Sequence, residues 1–314
     1  MSVLPFWISI AVLSVAQGAV VAIPRAWSPP ARLVRVGGRR WALVPAASVI
    51  GFVLLTSAAE RASADGLTYL ALVAVPLLAA AALGWLAWYV PPARRWRALL
   101  TIPLFALAWA DRSGLAGEAC ALALTALSCA ALGTLLAAVT PPRWLGAGIV
   151  AMAIADTALV VSDLLQKPND ALNAAHPPAG LPQLQRAVFG SALMGYGDLF
   201  VAGALGGLLA VACGRGWQLR GALLMGAVAL AFDLLFFFVH ELPATVPAAL
   251  TLLVLSLRAR SRRPAARQAE DCFPAAVETL GTAAPGCDPL APAARRSGRP
   301  ESQVDRAGRP AAAP

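Results

Sequence analysis

The chain has 314 residues, of which 59% are hydrophobic and 13% charged, and its formal net charge is +9. Soluble domains average roughly 25% charged residues, so this composition excludes a single large core with a polar exterior facing water. The positive charge is almost entirely arginine, spread between apolar segments and along the C-terminal tail. Because no basic amphipathic face with interleaved aromatic residues is present, nucleic acid is not an expected partner.

Nine apolar segments follow one another along the chain, separated by short loops. A helix needs about 20 apolar residues to cross the hydrocarbon core of a bilayer, and most of the segments approach or exceed that length. We therefore predict an all-α, polytopic membrane protein with nine transmembrane helices and the lipid bilayer as a partner. The predicted segments are 3–23, 41–58, 67–90, 97–110, 115–139, 144–165, 187–212, 218–239 and 242–258.

The tail that follows these segments has a different composition. Residues 259–314 are rich in Ala, Pro and Arg and show no apolar periodicity, which predicts a disordered segment next to a membrane domain of residues 1–258. The five cysteines form no C-x-x-C pair and have no histidine close by in sequence. Zinc is therefore not expected, and the sequence implies no other metal or organic cofactor.

Arginine occurs in every odd-numbered loop and directly after the ninth segment. The positive-inside rule then places the N-terminus outside and the C-terminus in the cytoplasm of a multi-pass cell-membrane protein, which requires an odd number of spans. The arginines concerned are Arg25, Arg32, Arg35, Arg39, Arg40, Arg94, Arg95, Arg97, Arg143, Arg215, Arg220, Arg258, Arg260, Arg262 and Arg263.

Three aspartates lie well inside apolar segments, where an ionised carboxylate costs about 2.5–3.5 kcal/mol. At 1.5 Å per residue, Asp156 is about 14 Å from the outer end of the sixth segment and Asp198 about 16 Å from the outer end of the seventh. The two segments run antiparallel, so these two side chains are expected to meet. Asp163 is only about 3 Å inside the sixth segment, and Asp233 is expected to make a structural hydrogen bond or an ion pair.

Two carboxyl groups at one level in a medium of low dielectric constant cannot both ionise comfortably, so they are expected to share one proton. The ionised group can take a proton from water while the protonated group donates one to a peptide carbonyl, which is the chemistry of aspartic proteases. Gly195 and Gly197 would leave room for a substrate backbone. Ala202 and Gly206 continue a stripe of small residues that favours close helix packing.

The motif Gly195-Tyr196-Gly197-Asp198 resembles the GxGD motif of the presenilin and signal peptide peptidase family of intramembrane aspartyl proteases. Asp156 lies one helix earlier, where that family has its first catalytic Asp, although Ala155 replaces the usual Tyr. Either Pro243-Ala244 or Pro247-Ala248 is similar to the start of the family's Pro-Ala-Leu motif. The resemblance covers residues 144–258.

This resemblance implies a nine-helix aspartyl endopeptidase that cleaves transmembrane helical peptides such as remnant signal peptides. Asp156 and Asp198 would be its catalytic residues. It further implies that the substrate-binding residues are Gly195, Tyr196, Gly197, Pro243, Ala244 and Pro247.

Two other functions compete with this one. The GxGD motif also resembles that of prepilin peptidases, in which Asp163, followed by Pro168-Asn169, would replace Asp156 as the first catalytic residue. Phe200 then stands where those enzymes usually have Lys. The second alternative is a transporter or an inactive membrane protein, but the sequence lacks the internal repeat that is typical of transporters.

Overall fold

The computed structural model of the protein describes residues 5–27, 31–89, 95–175, 177–238 and 242–261. This part of the chain is mostly helical, with one short β-hairpin. The α-helices are α1 (Phe6–Ala22), α2 (Ala31–Val36), α3 (Val44–Ala58), α4 (Glu60–Tyr89), α5 (Thr101–Ala110), α6 (Leu115–Val139), α7 (Pro142–Val161), α8 (Gln166–Ala174), α9 (Tyr196–Ala212), α10 (Arg215–Asp233) and α11 (Val246–Ser261). The strands are β1 (Arg186–Phe189) and β2 (Ala192–Gly195), which pair antiparallel.

Several of these helices have the dimensions of membrane spans. Within the described residues, four helical stretches are long and apolar enough to cross a bilayer, and α1, α9 and most of α11 are shorter apolar helices. These elements fit a helical membrane protein, as the composition predicts. The four long stretches are Arg39–Ala58, which adds a short 3-10 helix to α3, and Glu60–Gly84, Leu115–Val139 and Pro142–Val161.

The outer surface of α4 is apolar. Leu70, Val73 and Leu77 are each more than 60% exposed, and their spacing of three and four residues places them on one face of the helix. A contiguous apolar face of this kind is unfavourable in water and favourable against lipid chains. The exterior of the protein therefore supports the same membrane assignment as its composition.

Helix α9 lies at the centre of the helical bundle. Every residue from 199 to 210 is buried, and α1, α6, α7, α10 and α11 all pack against it. Such a helix has no face for lipid or solvent. The middle of α9 is therefore held on several sides by other helices.

Glycines allow α6 and α9 to approach closely. A Cβ on Gly203 would lie only 2.3 Å from the carbonyl oxygen of Cys129, and one on Gly207 would lie 2.5 Å from that of Gly133. Gly206 faces α1 instead, where a Cβ would lie 2.4 Å from the carbonyl oxygen of Val21. The small residues of α9 thus serve two neighbouring helices, as is common where membrane helices pack backbone to backbone.

The structure corrects the predicted seventh segment. Residues 187–195 form most of the β-hairpin, so the helix begins at Tyr196 and not near residue 187. The reason is the turn between the strands, where Gly190 adopts a φ of 61°, a conformation open to glycine and unfavourable in a continuing helix. Asp198 therefore lies in the first turn of its helix, and its expected depth of about 16 Å, reckoned along a helix, is wrong.

Other predicted boundaries also move. Helix α7 ends at Val161, so Asp163 lies beyond the helix that carries Asp156, and its φ of 55° is incompatible with a continuing right-handed helix. Helix α11 continues to Ser261, three residues past the predicted end of the membrane domain. The rest of the predicted tail, residues 262–314, lies outside the described residues.

Adding a single methyl group at the α6–α9 crossing tests this packing. We expect Gly203→Ala to destabilise the protein by about 1–3 kcal/mol, because the added Cβ must displace backbone atoms. The measurement is thermal unfolding of the purified protein in detergent. Gly51→Ala is the matched control, because Gly51 lies inside α3 with no atom within 4 Å of the added Cβ; equal melting temperatures for the two variants would contradict the described packing.

Candidate active site

Asp156 of α7 binds the chain at the beginning of α11. Its Oδ2 atom accepts a hydrogen bond of 2.6 Å from the Thr245 hydroxyl and one of 3.3 Å from the Thr245 backbone N–H. Both residues are buried, with Asp156 8% exposed and Thr245 1% exposed. A buried carboxyl group without such donors is strongly unfavourable, so these two bonds fix the side chain of Asp156.

Thr245 occupies this position because it precedes the first turn of α11. Its carbonyl oxygen accepts the N–H groups of Ala248 and Ala249 at 3.2 and 3.4 Å. Threonine is a favourable residue immediately before a helix, and a proline such as Pro247 is tolerated in the first turn, where backbone N–H groups have no helical partner. The sequence Thr245-Val246-Pro247 therefore begins the helix and presents two donors to Asp156.

Asp198 lies in the first turn of α9, directly after the hairpin. Its Oδ2 atom accepts the backbone N–H of Gly195 at 3.1 Å, which is one half of the reciprocal bonding at helix N-termini. The side chain is partly exposed, unlike that of Asp156. A Cβ on Gly195 would lie 3.1 Å from the same carboxylate oxygen, so a larger residue there would crowd Asp198.

Helix α7, which carries Asp156, packs against α9, whose first turn carries Asp198. The charge of Asp156 acts on Asp198 across this contact. Met152, one turn before Asp156, has its Cε atom 4.0 Å from the position that a Cβ would take on Gly197, so this face of α7 lies against the first turn of α9. Because like charges repel, ionisation of one of these carboxyl groups disfavours ionisation of the other.

Tyr196 attaches the first turn of α9 to α6. Its hydroxyl group hydrogen-bonds the hydroxyl of Ser128 at 2.9 Å, and its carbonyl oxygen accepts a weak hydrogen bond from Cys129 Sγ at 3.8 Å. Ser128 and Cys129 are fully buried. The phenol of Tyr196 therefore makes a structural contact. Gly195, the residue before it in sequence, is exposed.

The hairpin before Asp198 is held at three points. Glu118 Oε2 accepts the backbone N–H of Gly190 at 2.6 Å, and Ser9 Oγ accepts that of Ser191 at 3.2 Å. Gln17 of α1 donates to Met194 Sδ at 3.1 Å. These contacts fix the strand that leads into the GxGD residues.

The other two aspartates are separate from this pair. Asp163 is exposed beyond the end of α7. Asp233, at the end of α10, accepts a hydrogen bond of 2.5 Å from the Ser14 hydroxyl of α1, in agreement with the structural hydrogen bond expected for it. His240 and Glu241, which follow α10 in sequence, lie outside the described residues.

The predicted proline motif lies next to Asp156. Pro243 and Ala244 are half-buried in the segment before Thr245, and Pro247 is buried in the first turn of α11. The carbonyl oxygen of Pro243 accepts the N–H of Val246 at 3.2 Å. Both candidate Pro-Ala pairs thus flank Thr245, the residue that binds the carboxylate.

Three residues of this site were not predicted from the sequence. They are Thr245, Met152 and Ser128. Thr245 has a recognisable signal, since a threonine just before a proline-containing first turn is typical of a helix start. Met152 lies four residues before Asp156 and therefore on the same helix face. Nothing in the sequence pairs Ser128 with Tyr196, which lies 68 residues further along the chain.

Comparison with known proteins adds no relative. No protein-family model matches the chain, and no curated protein matches it significantly.

Removing the Thr245 hydroxyl tests the bond to Asp156. We expect Thr245→Val to lower the free energy of unfolding by about 1–3 kcal/mol, because one donor to a buried carboxyl group is lost, while Thr245→Ser retains most of the stability. Chemical or thermal unfolding in detergent provides the measurement.

Thr251→Val serves as the control for this substitution. Thr251 is also buried in α11, but its hydroxyl contacts only Met225 Sδ, at 3.7 Å, and a thioether is a weak acceptor. The same loss of stability at both positions would show that the Asp156 bond contributes nothing specific.

Proposed function

We propose that the protein is an intramembrane aspartyl endopeptidase similar to the presenilin and signal peptide peptidase family. The observation that carries the proposal is the packing of α7, with Asp156, against the first turn of α9, with Asp198, together with the bond from the start of α11 to Asp156. Three features carry the resemblance: a GxGD motif, an aspartate one apolar helix earlier, and a Pro-Ala segment in the last helix. The Pro-Ala segment is joined to Asp156 through Thr245, and the helix that follows the GxGD residues packs against the helix of Asp156.

The chemistry follows from the unequal surroundings of the two carboxyl groups. The ionised group removes a proton from a water molecule, whose oxygen attacks the carbon of the scissile carbonyl. The protonated group donates its proton to the carbonyl oxygen, and the amine leaves with a proton when the tetrahedral intermediate collapses. Neither step needs a metal or an organic cofactor.

The partly exposed side of the site has room for a substrate backbone. Gly195 is exposed and Gly197 carries no side chain beside Asp198, whereas Asp156 is closed off by Thr245. A transmembrane peptide must unwind locally before its carbonyl can reach two carboxyl groups, because helical carbonyls are already hydrogen-bonded. The proposed substrates are therefore transmembrane segments, such as remnant signal peptides, with a locally unwound region.

The proposed topology is nine transmembrane helices, with the N-terminus outside and the C-terminus in the cytoplasm. It rests on the nine apolar segments and on the arginines of the odd-numbered loops, which favour the cytoplasmic side. A helix occurs within each predicted segment. In this orientation the α5–α6 loop and the hairpin lie on the outer side of the membrane.

Asparagine substitutions test the catalytic pair without removing the hydrogen-bond acceptor. We expect Asp156→Asn and Asp198→Asn each to reduce cleavage of a helical reporter peptide at least about 100-fold, since positioned acid–base groups contribute about 10²–10⁴-fold. An Asn at position 156 can still accept the Thr245 hydroxyl, so folding should persist. The assay is cleavage of the reporter by purified protein in lipid vesicles, with melting temperature measured in parallel.

Asp163→Asn and Asp233→Asn are the matched controls, and both should retain most activity. Loss in Asp163→Asn with full activity in Asp156→Asn would move the assignment to the prepilin peptidase type. Equal cleavage by all four variants would exclude a role for an aspartyl pair. That outcome would favour a transporter or an inactive membrane protein.

A further inference from the structure

A cavity lies away from the two aspartates, at the end of the bundle where α5 is followed by α6. Its volume is about 550 Å³, within the range of small-molecule sites. The walls come from the α5–α6 connection, the beginning of α6 and the segment that leads into β1. None of the residues assigned to the proposed protease site lines it.

Two arginines line this cavity, and neither forms an ion pair with a carboxylate in the described part of the chain. Arg186 is half-buried, and its guanidinium donates only to neutral amide oxygens, at 2.5 Å to Asn173 Oδ1 and at 3.0 and 2.5 Å to Gln183 Oε1. Burial lowers the pKa of Arg186 from its usual value. A partly buried cation with neutral partners is a site that a bound anion would stabilise.

Arg112 supplies the second charge. Its guanidinium occupies the space where a side chain on Gly180 would lie, and Gly180 has a φ of 67° that suits glycine. Glu118 is the carboxylate in the wall, and its Oε2 atom already accepts the N–H of Gly190. The lining therefore has a net positive charge, with Ala108, Leu181 and Val188 as apolar surfaces beside it.

The position of the cavity matches the edge of a membrane. Helix α6 is a candidate span that begins at Leu115, so Arg112 and Glu118 lie at its end and not at its middle. Trp109 is about half exposed beside the cavity, and its indole N–H donates to the carbonyl oxygen of Ala179 at 3.4 Å. Exposed tryptophans are enriched at the level of lipid headgroups.

We propose that this cavity binds the phosphate of an anionic phospholipid headgroup, between the guanidinium groups of Arg112 and Arg186. Guanidinium groups donate strong hydrogen bonds to phosphate oxygens, and basic pockets between membrane helices bind anionic lipid headgroups. The apolar surfaces lie against the glycerol region of the lipid. This site is independent of the aspartyl pair and holds whether or not the protein is a protease.

Lipid retention provides the test. Purified full-length protein in detergent is mixed with phosphatidylglycerol or with phosphatidylcholine of the same acyl chains, and bound lipid is counted by native mass spectrometry. We expect wild-type protein to retain phosphatidylglycerol preferentially. Arg112→Gln and Arg186→Gln should each weaken that retention about fivefold, the equivalent of about 1 kcal/mol per basic residue.

Arg61→Gln is the matched control, since Arg61 is exposed in the first turns of α4 and does not line the cavity. Arg112 is exposed as well, so Arg112→Gln gives an answer even if Arg186→Gln fails to fold. Equal retention of the two lipids, or equal loss in Arg61→Gln, overturns the proposal. A thermal shift with inorganic phosphate as large as that with phosphatidylglycerol would assign the site to a free anion and overturn the lipid assignment.

Discussion

The bond between Asp156 and Thr245 is the constraint on which the candidate site depends. A carboxyl group inside an apolar bundle requires donors, and here both come from the residue that begins α11. That bond joins α7 to α11, and the same face of α7 carries Met152 against the first turn of α9. The bond therefore holds the Pro-Ala segment beside Asp156, on a helix that packs against the first turn of α9. A structural bond and a catalytic arrangement are compatible, since an acid that is oriented by a neighbour needs no reorganisation before reaction.

Close backbone packing gives α9 its central position. Gly203 and Gly207 let α6 approach, and Gly206 admits α1, so the helix that begins with the GxGD residues is enclosed along most of its length. Its first turn is further attached through Tyr196 to Ser128. Asp198 consequently has a fixed backbone and a partly exposed side chain. Rigid backbone with local access is what a site needs if it is to hold catalytic groups and admit a peptide.

Sequence patterns predicted the helical membrane architecture because long apolar runs permit few structures in a bilayer. They also predicted a pair of Asp156 and Asp198 from equal depth along two antiparallel helices, although α9 begins at Tyr196 and not near residue 187. They could not find the hairpin, because residues 187–195 are apolar and read as part of a helix until Gly190 turns the chain. Nor could they find the contacts of Thr245 and Ser128, which depend on helix packing across long separations. The cavity was missed for the same reason, since Arg112 lies in the α5–α6 connection and Arg186 begins β1, far along the chain.

Binding of a transition-state analogue measures most directly whether Asp156 and Asp198 act together on one substrate group. A transmembrane peptide in which a hydroxyl-bearing carbon replaces the scissile carbonyl places that hydroxyl between the two carboxyl groups, and such analogues bind far more tightly than substrates. We expect tight binding to wild-type protein and weakening of at least about 100-fold when either Asp156 or Asp198 is replaced by Asn. Undiminished affinity in the Asp156→Asn protein would show that the two carboxyl groups do not act on one group, and would exclude an aspartyl pair as the catalytic site.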